Sequence, residues 1–501
     1  MRILEILLVI STIASILCLI FLKRQSCKKI FVLSCVNVLV LLFHLFLEGY
    51  RWQLIPVYGI SAGVFIFTAF SSFSTREHSD TKVSRILKNI LCIFLVIFTF
   101  LSSGLSIGLP VFKTPNPTGS FPVGTQILHF VDENRAETFT ENPNDKRELI
   151  VQVWYPAQNI DGKNPLALMP DENTFFTESL NEDIKNEGVS RFIGDYIKYI
   201  RSHSYENAEV SDSNASYPMV LLSHGYGMSR LMYACQAENL ASHGYIVVGI
   251  DYTYYAAATK FPDGRVARLD MNSLSKDRKE SYDNLSNAWS GLYKDVSFII
   301  DQFYKIDNGE IKNILKDRID LGNIGAMGHS LGGAVAFDAC YSDSRIKAGI
   351  NMDGLLYGAG SKKSLDKPFL FLFSDSYMKI VKAINSGKLP GEMQGMDKAA
   401  QEYVTNIYKQ IYGIFDQTAK NGGYIMHIKR MEHNNFTDLQ IYSPLLKYMG
   451  LTGQIDGNRG LNIINSYVLD FFDKYLKGKG GDLLAKPRSE YAEVEFIKQL
   501  Q

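Results

Sequence analysis

Long apolar runs and short ones divide this chain in two. Over the first 110 residues, nonpolar side chains persist for 18–21 positions at a time, at about 3–22, 30–47, 54–73 and 89–109. Each run is long enough to cross a hydrocarbon core as a helix. The first is not patterned as a cleavable signal: its only basic residue is Arg2, its apolar core is overlong, and three further apolar runs follow. After a connector rich in proline and glycine (Pro110, Pro115, Pro117, Gly119, Pro122, Gly124) the period changes. Short apolar runs now recur, at Leu149–Tyr155, Met219–Ser223, Tyr245–Ile250, Ile324–Met327, Ala348–Met352, Phe369–Phe373 and Tyr424–Ile428. They alternate with helical patterns, the clearest being Leu285, Trp289, Leu292, Val296, Ile299 and Phe303 at steps of four and three. Short buried strands alternating with amphipathic helices predict an α/β fold, a mostly parallel sheet covered by helices on both faces.

The expected organisation is a four-helix membrane anchor over residues 1–110, a linker over 111–124 and an α/β domain over 125–501. Residues 376–423, long, polar and helical in pattern between two strands, are a candidate lid inserted in that domain. Basic residues cluster in two connections between spans: Lys23, Arg24, Lys28 and Lys29 in one, Arg76, Lys82, Arg85 and Lys88 in the other. Positive-inside bias places those loops in the cytoplasm and everything after residue 110 on the extracytoplasmic side of a multi-pass cell-membrane protein. Glu5, His44 and Glu48 lie near span ends, where snorkelling is cheap, so the spans read as an anchor rather than a transport path. Across the 501 residues the formal net charge is zero, and no basic block interleaves with aromatics, which excludes nucleic acid as a partner. Of the six cysteines only Cys235 and Cys340 lie beyond the spans, neither in a ligand spacing, so no metal and no cofactor is expected and both thiols read as buried and free.

The candidate chemistry centres on Gly328-His329-Ser330-Leu331-Gly332, entered from Asn323–Met327 and followed by the small-residue helix pattern Gly333–Phe337. A serine hydroxyl becomes nucleophilic on a sharp strand-to-helix turn, where it is exposed and where glycines allow close packing. A second match, Gly104-Leu105-Ser106-Ile107-Gly108, ends an apolar span with Pro110 close behind and reads as small residues of a membrane helix. The serine needs a base and an orienting acid, which in this arrangement follow it in the chain. Of nine histidines that order leaves His427, inside a strand pattern, and His433, in the loop beyond it. Active groups collect at carboxyl ends of strands, which favours His433. Asp353 and Asp375 both follow strands; the acid more usually follows the later one, which favours Asp375. An oxyanion needs amides aimed at it in advance: one from Leu331, directly after the serine, and one from Tyr226 in the glycine turn Ser223-His224-Gly225-Tyr226-Gly227. Tyr252-Thr253-Tyr254-Tyr255, after another strand, fits either a pocket wall or packing under a loop.

These features together resemble the platelet-activating factor acetylhydrolase family of the plasma and intracellular type II kind, within the α/β-hydrolases. The resemblance runs from about residue 118 to 475. It rests on Gly124–Glu137, Glu148–Pro156, Ser223–Gly227, Leu240–Val247, the elbow Gly328–Gly333 and His433-Asn434-Asn435-Phe436-Thr437-Asp438. It implies an acid shortly after the strand that follows the elbow, which matches Met352-Asp353-Gly354 and moves the assignment from Asp375 to Asp353. It further implies metal-free hydrolysis of short or oxidised acyl chains of phospholipids. The family's type members lack the four spans, and their counterpart of 376–423 is shorter.

The expectation is therefore a membrane-anchored serine hydrolase of carboxylic esters. Ser330 is the nucleophile, His433 the base, Asp353 the orienting acid, and the amides of Tyr226 and Leu331 form the oxyanion hole. Its partners are an ester or phospholipid substrate and the lipid bilayer; nothing in the sequence sets an oligomeric state. The rivals are a general carboxylesterase or lipase acting on other esters, and a membrane sensor or transporter carrying a degenerate hydrolase domain.

Overall fold

The structure is a computed structural model that describes residues 1–21, 27–73, 82–169, 196–270, 286, 289, 291–357, 362–387 and 397–501. The chain divides into two compact units, one made of residues 1–112 with 189–199 and 442–445, the other of the remainder.

The first unit is built on α1 (Ile3–Phe21), α2 (Cys27–Phe43, continued by a π turn over His44–Glu48), α3 (Ile55–Phe73) and α4 (Lys82–Gly108). All four are long and apolar enough to cross a membrane. Large apolar side chains such as Ile10, Phe46, Phe70 and Phe94 face outward. Inside, Ser11 and Thr12 of α1 donate to Asn37 Oδ1 of α2 at 2.8 and 3.2 Å, and Thr12 Oγ1 lies 2.9 Å from Ser61 Oγ of α3. This is the inverse of a water-soluble bundle and suits a lipid surround, where apolar contact gives helices no reason to associate and hydrogen bonds do.

The charges near the span ends do not reach outward singly. Arg51 folds back onto Glu5 with Nη1 at 3.1 and 3.2 Å from its two oxygens, both side chains being fully buried. His44 bridges Glu48 (3.0 Å) and the Tyr58 hydroxyl (2.8 Å), and Arg2 Nε donates to Glu5 at 2.9 Å. Opposite charges from the same end of three segments satisfy one another, which costs less than desolvating each alone. Potential ligand atoms of Glu5, His44 and Glu48 lie within 4.8 Å of one another, but the two arginines already occupy the Glu5 carboxylate.

In the second unit the strands are β1 (Val123–Ala136), β2 (Lys146–Gln158), β3 (Ser204–Glu206), β4 (Glu209–Val210), β5 (Tyr217–Ser223), β6 (Ile246–Asp251), β7 (Ala258–Lys260), β8 (Val266–Arg268), β9 (Ile319–His329), β10 (Ile346–Met352), β11 (Phe369–Phe373), β12 (Tyr424–Ile428) and β13 (Val494–Phe496). β7 and β8 form a separate hairpin, and the rest make one sheet in the order β13-β12-β11-β10-β9-β5-β6-β2-β1-β3, with β4 beside β2. From β6 through β5, β9, β10 and β11 to β12 the pairing is parallel; β1, β2 and β13 join antiparallel. Each of the seven predicted apolar runs is a strand or lies within one, give or take a terminal residue. Every residue of β5, β6 and β11 is buried, as a sheet covered on both faces requires. β1 was not among the predicted strands. Its polar positions hide the alternation, and pairing with β2 along most of its length holds it in the sheet.

Helices α5 (Ala234–Ser242) and α10 (Gly457–Leu476) cover one face, and α6 (Tyr293–Asp307) and α7 (Leu331–Ser342) the other. Of the predicted apolar stripe, Leu285 lies outside the described residues; Trp289, Leu292, Val296, Ile299 and Phe303 are buried in the core. The predicted insertion holds α8 (Asp375–Asn385) and α9 (Lys398–Lys420). The C-terminal half of α9 buries Ile411, Tyr412 and Phe415, with the Phe415 ring 4.3 Å from that of Phe371 on β11. That half is a fixed layer over the sheet. The connector lies on the same unit: Thr118 N donates to Asn239 Oδ1 (3.0 Å) and Phe121 N to Ser242 O (3.0 Å).

Candidate active site

Strand order reverses between β5 and β9: from β5 the chain moves one way to β6, then returns to the other side at β9. A crevice opens at the carboxyl ends of two strands that diverge in this way. The glycine turn follows β5 there, and the elbow follows β9. Ser330 stands between β9 and α7 with φ 55° and ψ −121°, a strained conformation for a residue with a Cβ. The turn is this tight because three backbone segments meet at it. A Cβ on Gly328 would lie 2.2 Å from the carbonyl oxygen of Gly332, and one on Gly332 would lie 2.1 Å from that of Ser223. Gly225 of the glycine turn after β5 lies close to the serine, where a Cβ would be 3.3 Å from Ser330 Cβ. As the first residue of α7, Leu331 has an amide with no acceptor inside the helix. In the opposite turn the Gly225, Gly227 and Met228 amides brace the loop through Tyr233 Oη, Tyr255 O and Gly225 O, at 3.0 Å each, which fixes the peptide carrying the Tyr226 amide.

β10 delivers the acid. Asp353 follows it with φ 57°, its side chain buried, and its backbone N–H donates to Leu372 O at 2.8 Å. Asn351, two residues earlier, accepts from Gly354 N (2.7 Å) and donates to Gly354 O (3.1 Å), which locks that turn. Asp353 Oδ1 accepts from Ser374 N at 2.7 Å, and Oδ2 accepts from Ser374 Oγ at 2.8 Å and lies 2.7 Å from His433 Nδ1. A carboxylate with these partners holds its orientation, and its remaining lone pairs fix the imidazole with Nδ1 protonated and Nε2 outward. The His433 ring centroid lies 4.5 Å from that of His329, the residue before the serine, with the planes tilted by 45°, so the candidate base packs against the elbow.

The structure thus brings Asp353 and His433 together, with the His433 ring against His329, the residue before Ser330. It places the rival pair elsewhere: Asp375 Oδ1 lies 2.7 Å from His427 Nε2 on β12, and its Oδ2 accepts from Arg430 N at 3.0 Å. His427 Nδ1 is in turn 3.2 Å from Glu495 on β13. His224 is buried and structural. Its Nε2 accepts from Tyr252 N (3.1 Å) and its Nδ1 faces Gly225 O (2.7 Å), while burial lowers its pKa to about 4. In the aromatic loop, Tyr252 and Tyr255 are buried and Tyr254 stacks on Phe139 at 5.1 Å, so the loop packs. Cys235 and Cys340 are buried and unbridged.

Three groups that shape the site escaped the sequence reading. Ser374 follows the strand β11, a position that could have marked it. Asn351 has no local signal. Asp438 ends the histidine motif and clamps that loop to the start of α5. Its Oδ2 accepts from Cys235 N at 3.0 Å and its N–H donates to Met232 O at 2.7 Å, while Gln236 Nε2 donates to Phe436 O at 2.7 Å. Burial raises the Asp438 carboxyl to about 8.

A family model for platelet-activating factor acetylhydrolase, isoform II, matches residues 107–283 and 293–482, so the four apolar helices lie almost wholly before the matched region. Platelet-activating factor acetylhydrolase of Bos taurus is 24% identical over 390 residues, covering 73% of this chain and 77% of that protein. A probable 1-alkyl-2-acetylglycerophosphocholine esterase of Arthroderma benhamiae is 25% identical over 428 residues, covering 80% of this chain and 98% of that protein. Among solved structures, a ferulic acid esterase from Streptomyces cinnamoneus superposes with a TM-score of 0.55 at 26% identity, covering 78% of this chain and all of that one.

Proposed function

Since the chain belongs to the platelet-activating factor acetylhydrolase isoform II family, we propose that it is a membrane-anchored serine hydrolase that cleaves carboxylic esters, with short or oxidised acyl chains of phospholipids as its substrate class. The observation that carries this reading is the buried carboxylate of Asp353 at 2.7 Å from His433 Nδ1, beside a serine held at φ 55°.

In the proposed mechanism His433 Nε2 takes the Ser330 proton as Oγ attacks the ester carbonyl. Asp353 keeps Nδ1–H engaged, so the imidazolium forms without turning and its charge is compensated. The carbonyl oxygen gains charge where the Leu331 and Tyr226 amides point, which removes reorganisation from the barrier. Collapse expels the alcohol, protonated by His433, and leaves an acyl-enzyme on Ser330. Water, deprotonated by His433, then releases the acid and restores the serine. No step needs a metal or cofactor.

The organisation that serves this is a four-span anchor over 1–110, the connector 111–124 and the hydrolase over 125–501. By the basic residues of the 23–29 and 74–88 loops, the hydrolase lies on the extracytoplasmic side of the cell membrane. Protease shaving of intact cells, which should release fragments from beyond residue 110 only, tests that side. A second reading, a general carboxylesterase, is favoured by the likeness to a ferulic acid esterase. The deciding experiment is the specificity constant of the purified full chain across phospholipids of rising sn-2 chain length, set against nitrophenyl and feruloyl esters. A maximum at acetyl or oxidised phospholipids supports the first reading, and a preference for non-lipid esters the second.

A further inference from the structure

The proposed site is joined by a chain of buried hydrogen bonds that no catalytic role accounts for. Tyr233, fully buried at the start of α5, places its hydroxyl 3.0 Å from Gly225 N, where it accepts. The same oxygen is 2.9 Å from His329 Nδ1 and 3.2 Å from Met228 Sδ. On the far side of the ring, His329 Nε2 is 3.0 Å from the backbone oxygen of His433.

These distances fix the protons. A carbonyl only accepts, so Nε2 must carry hydrogen. His329 is fully buried, and that burial, reinforced by the charge of His433, pushes its pKa far below the ordinary histidine range, so the ring is neutral and Nδ1 is bare. Bare Nδ1 needs a donor, and the Tyr233 hydroxyl is that donor, since the thioether is the weaker acceptor. The chain therefore runs in one direction: Gly225 N–H to Tyr233 Oη, Tyr233 O–H to His329 Nδ1, His329 Nε2–H to the carbonyl of His433. Its ends are the turn that carries the Tyr226 amide and the residue that carries the general base.

We propose that Tyr233 and His329 are positioning residues that hold the oxyanion turn and the His433 loop in register with Ser330 through one directed hydrogen-bond chain. The inference rests on the assignment of Ser330 and His433, and it adds that the x position of the Gly-x-Ser-x-Gly elbow works as a brace for the base. Neither residue touches substrate. Removing the Tyr233 hydroxyl frees the His329 tautomer: with a proton on Nδ1, the bare Nε2 would face the His433 carbonyl, lone pair against lone pair, and the base would shift. Displacements of about 1 Å at a reacting group cost up to about 100-fold in rate.

The test uses the purified full chain on a short-chain nitrophenyl ester, with Ser330→Ala and His433→Ala as references. Tyr233→Phe is expected to lower kcat about 10- to 100-fold with KM within about twofold. His329→Phe is expected to fall equally, and His329→Gln, whose amide both donates and accepts, to recover most of the loss. A merely structural role would lower the melting temperature alike in Phe and Gln variants and leave kcat of the folded fraction unchanged. Wild-type kcat in Tyr233→Phe, with both reference variants inactive, overturns the inference. Should Tyr233→Phe fail to fold, equal kcat of His329→Gln and His329→Phe overturns it instead. Histidine-selective 15N spectra should show His329 as the Nε2–H tautomer, and a wild-type Nδ1–H tautomer refutes the chain whatever Ser330→Ala does. An active Ser330→Ala would defeat the functional assignment and leave that spectral arm standing.

Discussion

The two units differ in what dominates their buried interiors. In the hydrolase unit every side chain of β5, β6 and β11 is withdrawn from solvent, and the interior is a continuous apolar cluster. In the four-helix unit the buried positions include Glu5, Thr12, Ser15, Ser34, Asn37, His44, Ser61 and Thr99 beside two small apolar clusters, while large side chains such as Leu39, Phe46 and Phe70 point outward. On the proposed reading, with the four helices in lipid, one chain carries two solutions to two solvents. Water drives apolar groups together without regard to direction, so the sheet core needs shape and volume. Lipid gives no such push, and helices that must stay together rely on hydrogen bonds and close packing. The lesson concerns robustness: the first unit depends on a few directed contacts, the second on many undirected ones.

The comparison is sharpest at the proposed nucleophile, Ser330, whose strained backbone trades stability for the proposed chemistry. Ser330→Ala is expected to lower kcat at least about 10⁴-fold, with the spans still inserted and protected from protease. Ser330→Gly should be equally inactive yet raise the stability of the hydrolase unit by about 1 kcal/mol, since glycine adopts φ 55° without strain. Activity in either variant would remove Ser330 from the site; no gain with Gly would remove the strain from the argument.

The cores themselves can be compared by one substitution in each. Phe371, fully buried against Phe337, Phe369 and Phe415, should cost about 3–5 kcal/mol when changed to Ala, transfer and cavity together. Asn37→Leu, which removes the acceptor shared by Ser11 and Thr12, should cost only about 0.6 and at most about 1.7 kcal/mol. Equal losses in chemical unfolding would break the contrast. The ion pair is the exception inside the first unit. Arg51→Met strands the buried Glu5 carboxylate with Arg2 alone and should cost about 3 kcal/mol, whereas Glu5→Leu with Arg51→Met should recover most of it. A double variant no better than the single would mean that the pair acts on something other than its own neutralisation.

What the sequence disclosed follows from how local each signal is. Short apolar runs marked the central strands because a strand buried on both faces has no polar position to blur it. The elbow was legible because its glycines are required within five residues. The proposed acid was not: Asp353 and Asp375 occupy equivalent places after neighbouring strands, and the difference lies in which histidine each meets across the sheet, His433 or His427. Family likeness reversed the slight preference for Asp375 that local pattern gave. Tyr233 carried no sign because its partner stands about a hundred residues away, and Ser374 offered only its place after β11, its partner being about twenty residues back. Glu5, His44 and Glu48 were read one at a time as charges that could snorkel, and only the fold shows that Arg2 and Arg51 gather them into one network.

A further small effect is a titration in the hydrolase unit. Burial lowers His224 to about 4 and drives His329 lower than usual, so the folded state prefers both rings neutral. Their contribution is present above about pH 6.5, the unfolded value, and is lost as pH falls. Asp438 runs the other way. Burial raises its carboxyl to about 8, with the Cys235 amide opposing and the nearby Glu238 adding to the rise. That contribution is full below about pH 4, the unfolded value, and is lost progressively as pH climbs to about 8. Below about 6.5 the histidines and Asp438 partly offset each other; between about 6.5 and 8 only the acid's loss remains, worth about 1–2 kcal/mol at 1.36 kcal/mol per pKa unit. Melting measured across that interval should therefore decline in the wild type. The decline should shrink in Asp438→Asn, which keeps the contact to the Cys235 amide and cannot ionise. An undiminished decline in Asp438→Asn would mean that the histidine loop is anchored by something other than a neutral Asp438.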